Sequence, residues 1–153
     1  MKLNTTGHAD IAAIVDPIRY AVEQDRITSL APAIAKLQEA GIFSFPELYA
    51  DVRTDRYSRR LIWLDPAKRF VIVGMTWGPG QFAPLHDHAG QWGVETIVEG
   101  SMKQTAFRLV DRDKEERYRF IREGEEIAAA GSVSVVIPPL EYHAFANASN
   151  DVS

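Results

Sequence analysis

No cysteine occurs in the 153 residues, and histidine is scarce, with four. The first absence excludes disulfides, thiolate metal sites and a thiol nucleophile. The N-terminus, MKLNTTGHADIAAIVDP, has no apolar run long enough for a signal peptide or a membrane span. Positive charge is also in deficit: 17 Lys and Arg against 21 Asp and Glu leave a net charge of −4. A field of that sign does not attract nucleic acid or anionic lipid. No repeat or low-complexity tract is present. What is there is ordinary for a soluble globular protein, 46% hydrophobic and 25% charged. The length suits one domain with a real core. These features predict a cytoplasmic protein of one domain over residues 1–153, a monomer or weak homo-oligomer, with no nucleic-acid or membrane partner.

The grammar of the chain changes near residue 57. Before it, Ile11, Ile14, Val15, Ile18 and Val22 recur at helical steps and share one face, with Pro17 as a possible kink. A second helix fits Leu30 to Ala40, capped by Thr28 or Ser29, with Pro32 in its first turn and Gly41 as its stop. Leu30, Ile34 and Leu37 would face the core, and a short helical turn fits Pro46 to Val52. From Tyr57 on, RRLIWL, RFVIVGMTWG, VETIVEGSMKQTAFRLV, YRFIREGE and GSVSVVIPP read as strands. They are broken at Asp65-Pro66, Gly78-Pro79-Gly80, Glu99-Gly100, Asp111 to Glu116, Gly124 and Pro138-Pro139. Helices first and strands after, without alternation, argue against a parallel sheet. The fold class is mainly β (α+β by content): an antiparallel β-barrel over residues 57–153 with the helices of residues 1–52 packed outside.

Two of the four histidines stand two apart in APLHDHAGQWGVETIVEG, which reads as strand. On a strand His86 and His88 project to one side, with Asp87 turned away. Neutral imidazoles placed this way offer two cis metal positions; a surface pair or a satisfied core pair is the other reading. His143 is the candidate third ligand, since the remaining histidine, His8, lies in the N-terminal tail. Gly80, His86, His88 and Gly100 match the spacing of the first cupin motif. Pro138, His143 and Asn147 match the second, with Leu140 where glycine is usual. The chain therefore resembles the cupin superfamily, which implies a cupin-type barrel holding a metal near its mouth. Most cupins add a glutamate ligand, and Gly93 occupies that position here. Glu95 shares its parity and could reach inward, though it is read first as a structural or surface carboxylate. Three neutral histidines leave the ion its full charge and open positions for an anionic substrate and O₂.

The stretch from Tyr57 to Asn147 looks like the thiol dioxygenases of the cysteine dioxygenase type I family. The resemblance rests on Tyr57-x-Arg59, Trp77-Gly78-Pro79-Gly80, His86-Asp87-His88, Gly100 and Pro138 to His143. It implies ferrous iron, Fe(2+), on His86, His88 and His143, with a small thiol and O₂ as partners and a sulfinic acid as product. L-cysteine is the first expectation for the thiol, with 3-mercaptopropionate and mercaptosuccinate as alternatives. Arg59 would bind the substrate carboxylate, a natural task for a planar guanidinium; by its neighbours alone it reads as a solvated strand residue beside Arg60. Tyr57, of the same parity, would line the same pocket, and Trp77 and Trp92 would be wall or core. The crosslink that some members make from a cysteine is excluded, since Gly93 takes that place. Members also carry a Ser, His and Tyr relay on a later strand, and the sequence ends in NASNDVS before its histidine and tyrosine. No catalytic residue beyond the metal set is therefore named. The expectation is an open barrel edge, and either weak thiol oxidation or metal binding with little activity.

Overall fold

A computed structural model describes residues 11–43, 52–139 and 142–153. The expected turn of helix at residues 46–52 lies almost wholly outside them, as do His8 and Leu140. The first helix, α1 (Ile11–Glu23), keeps Pro17 inside it and buries Ile14, Val15, Ile18 and Ala21 along one stripe. The second, α2 (Leu30–Glu39), buries Leu30 and Ile34. Gly41, at φ +67°, follows its end in the left-handed region that glycine adopts without strain. The expected side-chain cap is not made. Ser29 instead donates its hydroxyl to the Arg26 carbonyl at 2.7 Å, because a 3-10 turn over Ile27–Ser29 runs directly into the helix.

Among the described residues eight strands follow: β1 (Ser58–Leu64), β2 (Val71–Thr76), β3 (Phe82–His86), β4 (Gly93–Thr96), β5 (Ser101–Arg112), β6 (Tyr118–Ala129), β7 (Val133–Val136) and β8 (His143–Asn147). They pair antiparallel in three sheets, β1-β2, β3-β8-β5-β6 and β4-β7. Side chains from every strand line one interior, a cavity of about 1340 Å³. The mainly antiparallel β class with helices against it is thus the one expected from the sequence. The helices cover β1, β2, β4 and β7: Ile14, Val15, Leu30 and Phe70 form a buried cluster backed by Ile62, Ile72, Val94 and Val133. No helix among the described residues is long and apolar enough to cross a membrane.

Two sequence expectations shift. Gly124 was expected to break a strand but lies inside β6, where Ala106 pairs with Gly124 and Phe107 with Arg122. Glu123 is therefore the extra residue of a bulge, a place where a glycine within a strand is common. The run from residue 94 to 110 is two strands, separated at Glu99-Gly100 as the turn signal indicated.

Two ties fix the fold around the cavity. Arg69, in the β1–β2 turn, donates to Asp65 through Nε (2.8 Å) and Nη2 (3.0 Å), and to Glu23 of α1 through Nη1 (2.8 Å). It thereby pins the first helix to the hairpin. Elsewhere, buried Asn147 donates to the carbonyls of Trp77 (3.0 Å) and Asp151 (2.7 Å) and accepts from the hydroxyls of Ser149 (2.7 Å) and Ser153 (3.0 Å). Ser153 and Trp77 exchange backbone hydrogen bonds, of 2.9 and 2.7 Å. Asn147, singled out by motif spacing, is thus a structural hub.

Candidate metal centre

His86 is the last residue of β3, and its cross-strand partner is His143, the first residue of β8. The register between these strands slips across Pro84 and Leu85. Proline has no N–H for the ladder, so an irregularity is expected there. His88 lies beyond the end of β3, not on the strand as its alternation suggested. The turn that follows it, with Ala89 and Gly90 at φ 52° and 75°, leads the chain to β4. The two imidazoles nevertheless lie nearly parallel, with centroids 5.8 Å apart and planes at 10°.

The three rings aim the same atom at one place. His143 Nε2 stands 3.1 Å from His88 Nε2 and 3.2 Å from His86 Nε2. Among the described residues these three form the group of side chains able to hold a metal ion, their ligand atoms all within 4.8 Å of one another. Imidazole nitrogens about 2.1 Å from a shared ion, at cis angles, stand about 3.0–3.2 Å apart. The donor set therefore fits a first-row metal. His86 Nδ1 lies 2.8 Å from the Pro84 carbonyl oxygen. A carbonyl only accepts, so Nδ1 carries the proton and the Nε2 lone pair is free for a metal. Burial first, then the charges of His86 and His88, push the His143 pKa down to about 4. It is a neutral imidazole at physiological pH, the form that ligates.

The surroundings are set by packing. Trp77, Ala83 and Met102 form a small buried cluster backed by Tyr57, Met75, Ile97 and Phe145. Phe145 stands edge-on to His143, with centroids 4.7 Å apart. Tyr57 stacks on Trp77 at 4.2 Å. Tyr57, Arg59, His86, His88, Trp77 and Trp92 all line the cavity. A β-carbon at Gly93 would lie 3.3 Å from His88 Nδ1, so a glycine there gives the ring its room.

Glu95 points inward, the direction its parity with Gly93 allowed, and not out to the surface. Its strand pairs with β7 so that Glu95 faces Ser134, and both line the cavity. Oε1 lies 4.0 Å from His88 Nε2, and Oε2 accepts from Ser134 Oγ at 3.4 Å. Burial pushes its pKa up to about 7, only partly offset by the serine. The signal for it was its parity with Gly93.

The cysteine dioxygenase type I family matches residues 7–153 of the chain. Human cysteine dioxygenase type 1 is 23% identical over 103 residues, which are 67% of this chain and 50% of the human protein. The bovine enzyme is 25% identical over the same shares. The chain thus spans about half the length of the curated relatives it matches. Among solved structures, oxalate oxidase gives a TM-score of 0.45 at 17% identity, covering 65% of this chain and 48% of its own. Peruvianin-I, a cysteine peptidase from Thevetia peruviana latex, gives 0.45 at 10%, covering 72% and 70%. The family match runs through both histidine motifs and the helices before them, so the kinship covers nearly the whole sequence: the chain belongs to the cysteine dioxygenase type I family.

Proposed function

We propose that the protein is an iron-dependent thiol dioxygenase that converts a small carboxylated thiol, L-cysteine in the first place, to its sulfinic acid. The observation that carries this reading is the convergence of three histidine Nε2 atoms, with His86 and His88 lining the same cavity as Arg59. Ferrous iron, when bound, supplies the redox chemistry that adds both atoms of O₂ to a thiol sulfur. The reaction balances without another reductant, since a thiol plus O₂ has the composition of a sulfinic acid.

The chain's own part is to hold and to orient. His86, His88 and His143 present uncharged nitrogens, so an anionic thiolate gains the full attraction of the metal's charge. Arg59 clamps the carboxylate by charge-assisted hydrogen bonds and fixes which way the thiol points. Tyr57, stacked on Trp77, closes one wall and offers a phenol to the bound substrate. The apolar cluster of Trp77, Ala83 and Met102 keeps that side of the cavity dry.

The test is O₂ uptake and sulfinate formation by the iron-loaded protein with L-cysteine, 3-mercaptopropionate, mercaptosuccinate and cysteamine. Bound iron without thiol-dependent O₂ uptake overturns the reading. Arg59→Ala should raise KM for L-cysteine about ten- to a hundred-fold, the worth of a hydrogen bond to a charge. Cysteamine, which has no carboxylate, should be little affected. Arg60→Ala, on the other face of β1, is the control, and equal losses for both thiols would remove Arg59 from the site.

A further inference from the structure

The three-histidine reading leaves one charged group of the cavity without a task. Glu95 projects from β4 beside the point shared by the Nε2 atoms, with Oε1 4.0 Å from His88 Nε2, yet it stands outside the group of three nitrogens. Its hydrogen bond is a single one, from the neutral Ser134 hydroxyl at 3.4 Å. Among the described residues no lysine or arginine pairs with it. A half-buried carboxylate with one such donor gains from any cationic or N–H donor that enters the cavity. Arg59, an exposed residue of β1, lines the same cavity and offers it a cation, as do Lys68 and Arg69. A ligand complementary to both residues carries a carboxylate for Arg59 and an amino group for Glu95, with its sulfur at the histidines.

We infer that Glu95 is a specificity-determining residue that receives the substrate's amino group, so that the site selects amino thiols over thiols bearing only carboxylates. The inference rests on the dioxygenase reading above and decides among its substrates. 3-Mercaptopropionate keeps the thiol and the carboxylate but leaves Glu95 unpaired. Mercaptosuccinate brings a second anion towards it. A site that leaves its own half-buried carboxylate unpaired discriminates against the analogue beyond the loss of contact area alone.

The experiment measures anaerobic binding to the iron-loaded protein by calorimetry, with L-cysteine, cysteamine and 3-mercaptopropionate as the probes. Glu95→Gln, at matched iron content, should weaken L-cysteine and cysteamine about ten- to a hundred-fold while 3-mercaptopropionate changes little or tightens. Arg59→Ala should give the crossed pattern, weakening L-cysteine and 3-mercaptopropionate and sparing cysteamine. Equal loss for all three probes in Glu95→Gln, or no loss for any, overturns the role given to Glu95 while leaving the dioxygenase reading intact. Failure of the wild type to bind any of the three overturns that reading and this one with it. If the variant does not fold, the wild type still decides: cysteamine should bind more tightly than ethanethiol, which differs from it by the amino group alone, and equal affinity overturns the inference.

Discussion

Asp65 and His143 are the least exposed polar residues of the described chain, at 0% and 3%, and they are accommodated in opposite ways. Asp65 finds all its partners within its own turn. Arg69 gives it two guanidinium bonds and a backbone N–H at 3.2 Å, and the side-chain bonds to Arg69 hold the Asp65 pKa down at about 2. His143 faces two other imidazoles, and nitrogens that each have a lone pair to place converge within 3.1 and 3.2 Å. A buried polar group satisfied by its neighbours is structure. A buried cluster whose lone pairs point at one another is incomplete without a cation. The difference separates two parts of the molecule: one ties a helix to a hairpin, the other is shaped for something the chain does not contain.

The strongest way to break this comparison is to remove His143. His143→Ala should lower iron affinity by more than about a hundred-fold, above the ten- to hundred-fold that supporting partners alone carry. Without metal, the variant should be about as stable as the wild type, because truncation relieves a crowded cluster. Iron should therefore raise the melting temperature of the wild type and not of the variant, as ligand linkage requires. Thermal unfolding with and without iron checks both. If iron protects the variant equally, the three nitrogens are not its site.

Asp65→Asn is the mirror experiment, with a smaller effect. It removes the charge that Arg69 needs while keeping the shape, so the melting temperature should fall while iron affinity holds. Its pH dependence follows from the sign of the shift. The carboxyl is depressed from 3.8 to about 2 in the folded chain, so the ionised form is the one favoured by folding. Its stabilisation is complete above the unfolded value and is lost as pH falls through the folded one. The gap in melting temperature between wild type and Asp65→Asn should stay constant down to about pH 4 and close by about pH 2. A gap that persists in acid would mean that Asp65 acts through shape alone.

Much of this was legible in the sequence, for physical reasons that can be located. The helices were visible because a buried stripe imposes its period, from Ile14 through Ile18, and because Gly41 takes a backbone conformation that glycine adopts freely. The histidines were visible because ligands fixed at the ends of two paired strands keep a fixed spacing in each. What alternation misread was His88, which reaches the centre from beyond the strand end. Gly124 was misread because a bulge and a strand break use the same residue. Glu95 was undervalued because its inward direction depends on pairing with Ser134, a contact 39 residues away in sequence. The Asp65–Arg69 clamp left no signal stronger than an Asp-Pro turn.

The finest test of the contrast concerns how each imidazole is supported. His86 is held by the Pro84 carbonyl, which no side-chain substitution removes. His143 relies on a side chain: Gln104, on β5, places its amide nitrogen 3.5 Å from His143 Nδ1. If Nε2 faces a metal, Nδ1 carries the proton and needs an acceptor, and a half-turn of the carboxamide brings Oε1 to it. Gln104→Leu keeps the bulk and removes the acceptor, so iron affinity should fall about ten-fold. Gln104→Glu retains an acceptor and should retain most of the affinity. The measurement is a competition titration of iron against a chelator, for each variant beside the wild type. If Gln104→Leu binds iron as tightly as the wild type, the β3–β8 pairing alone sets the ring, and the histidine cluster is as self-sufficient in its framework as the Asp65 turn.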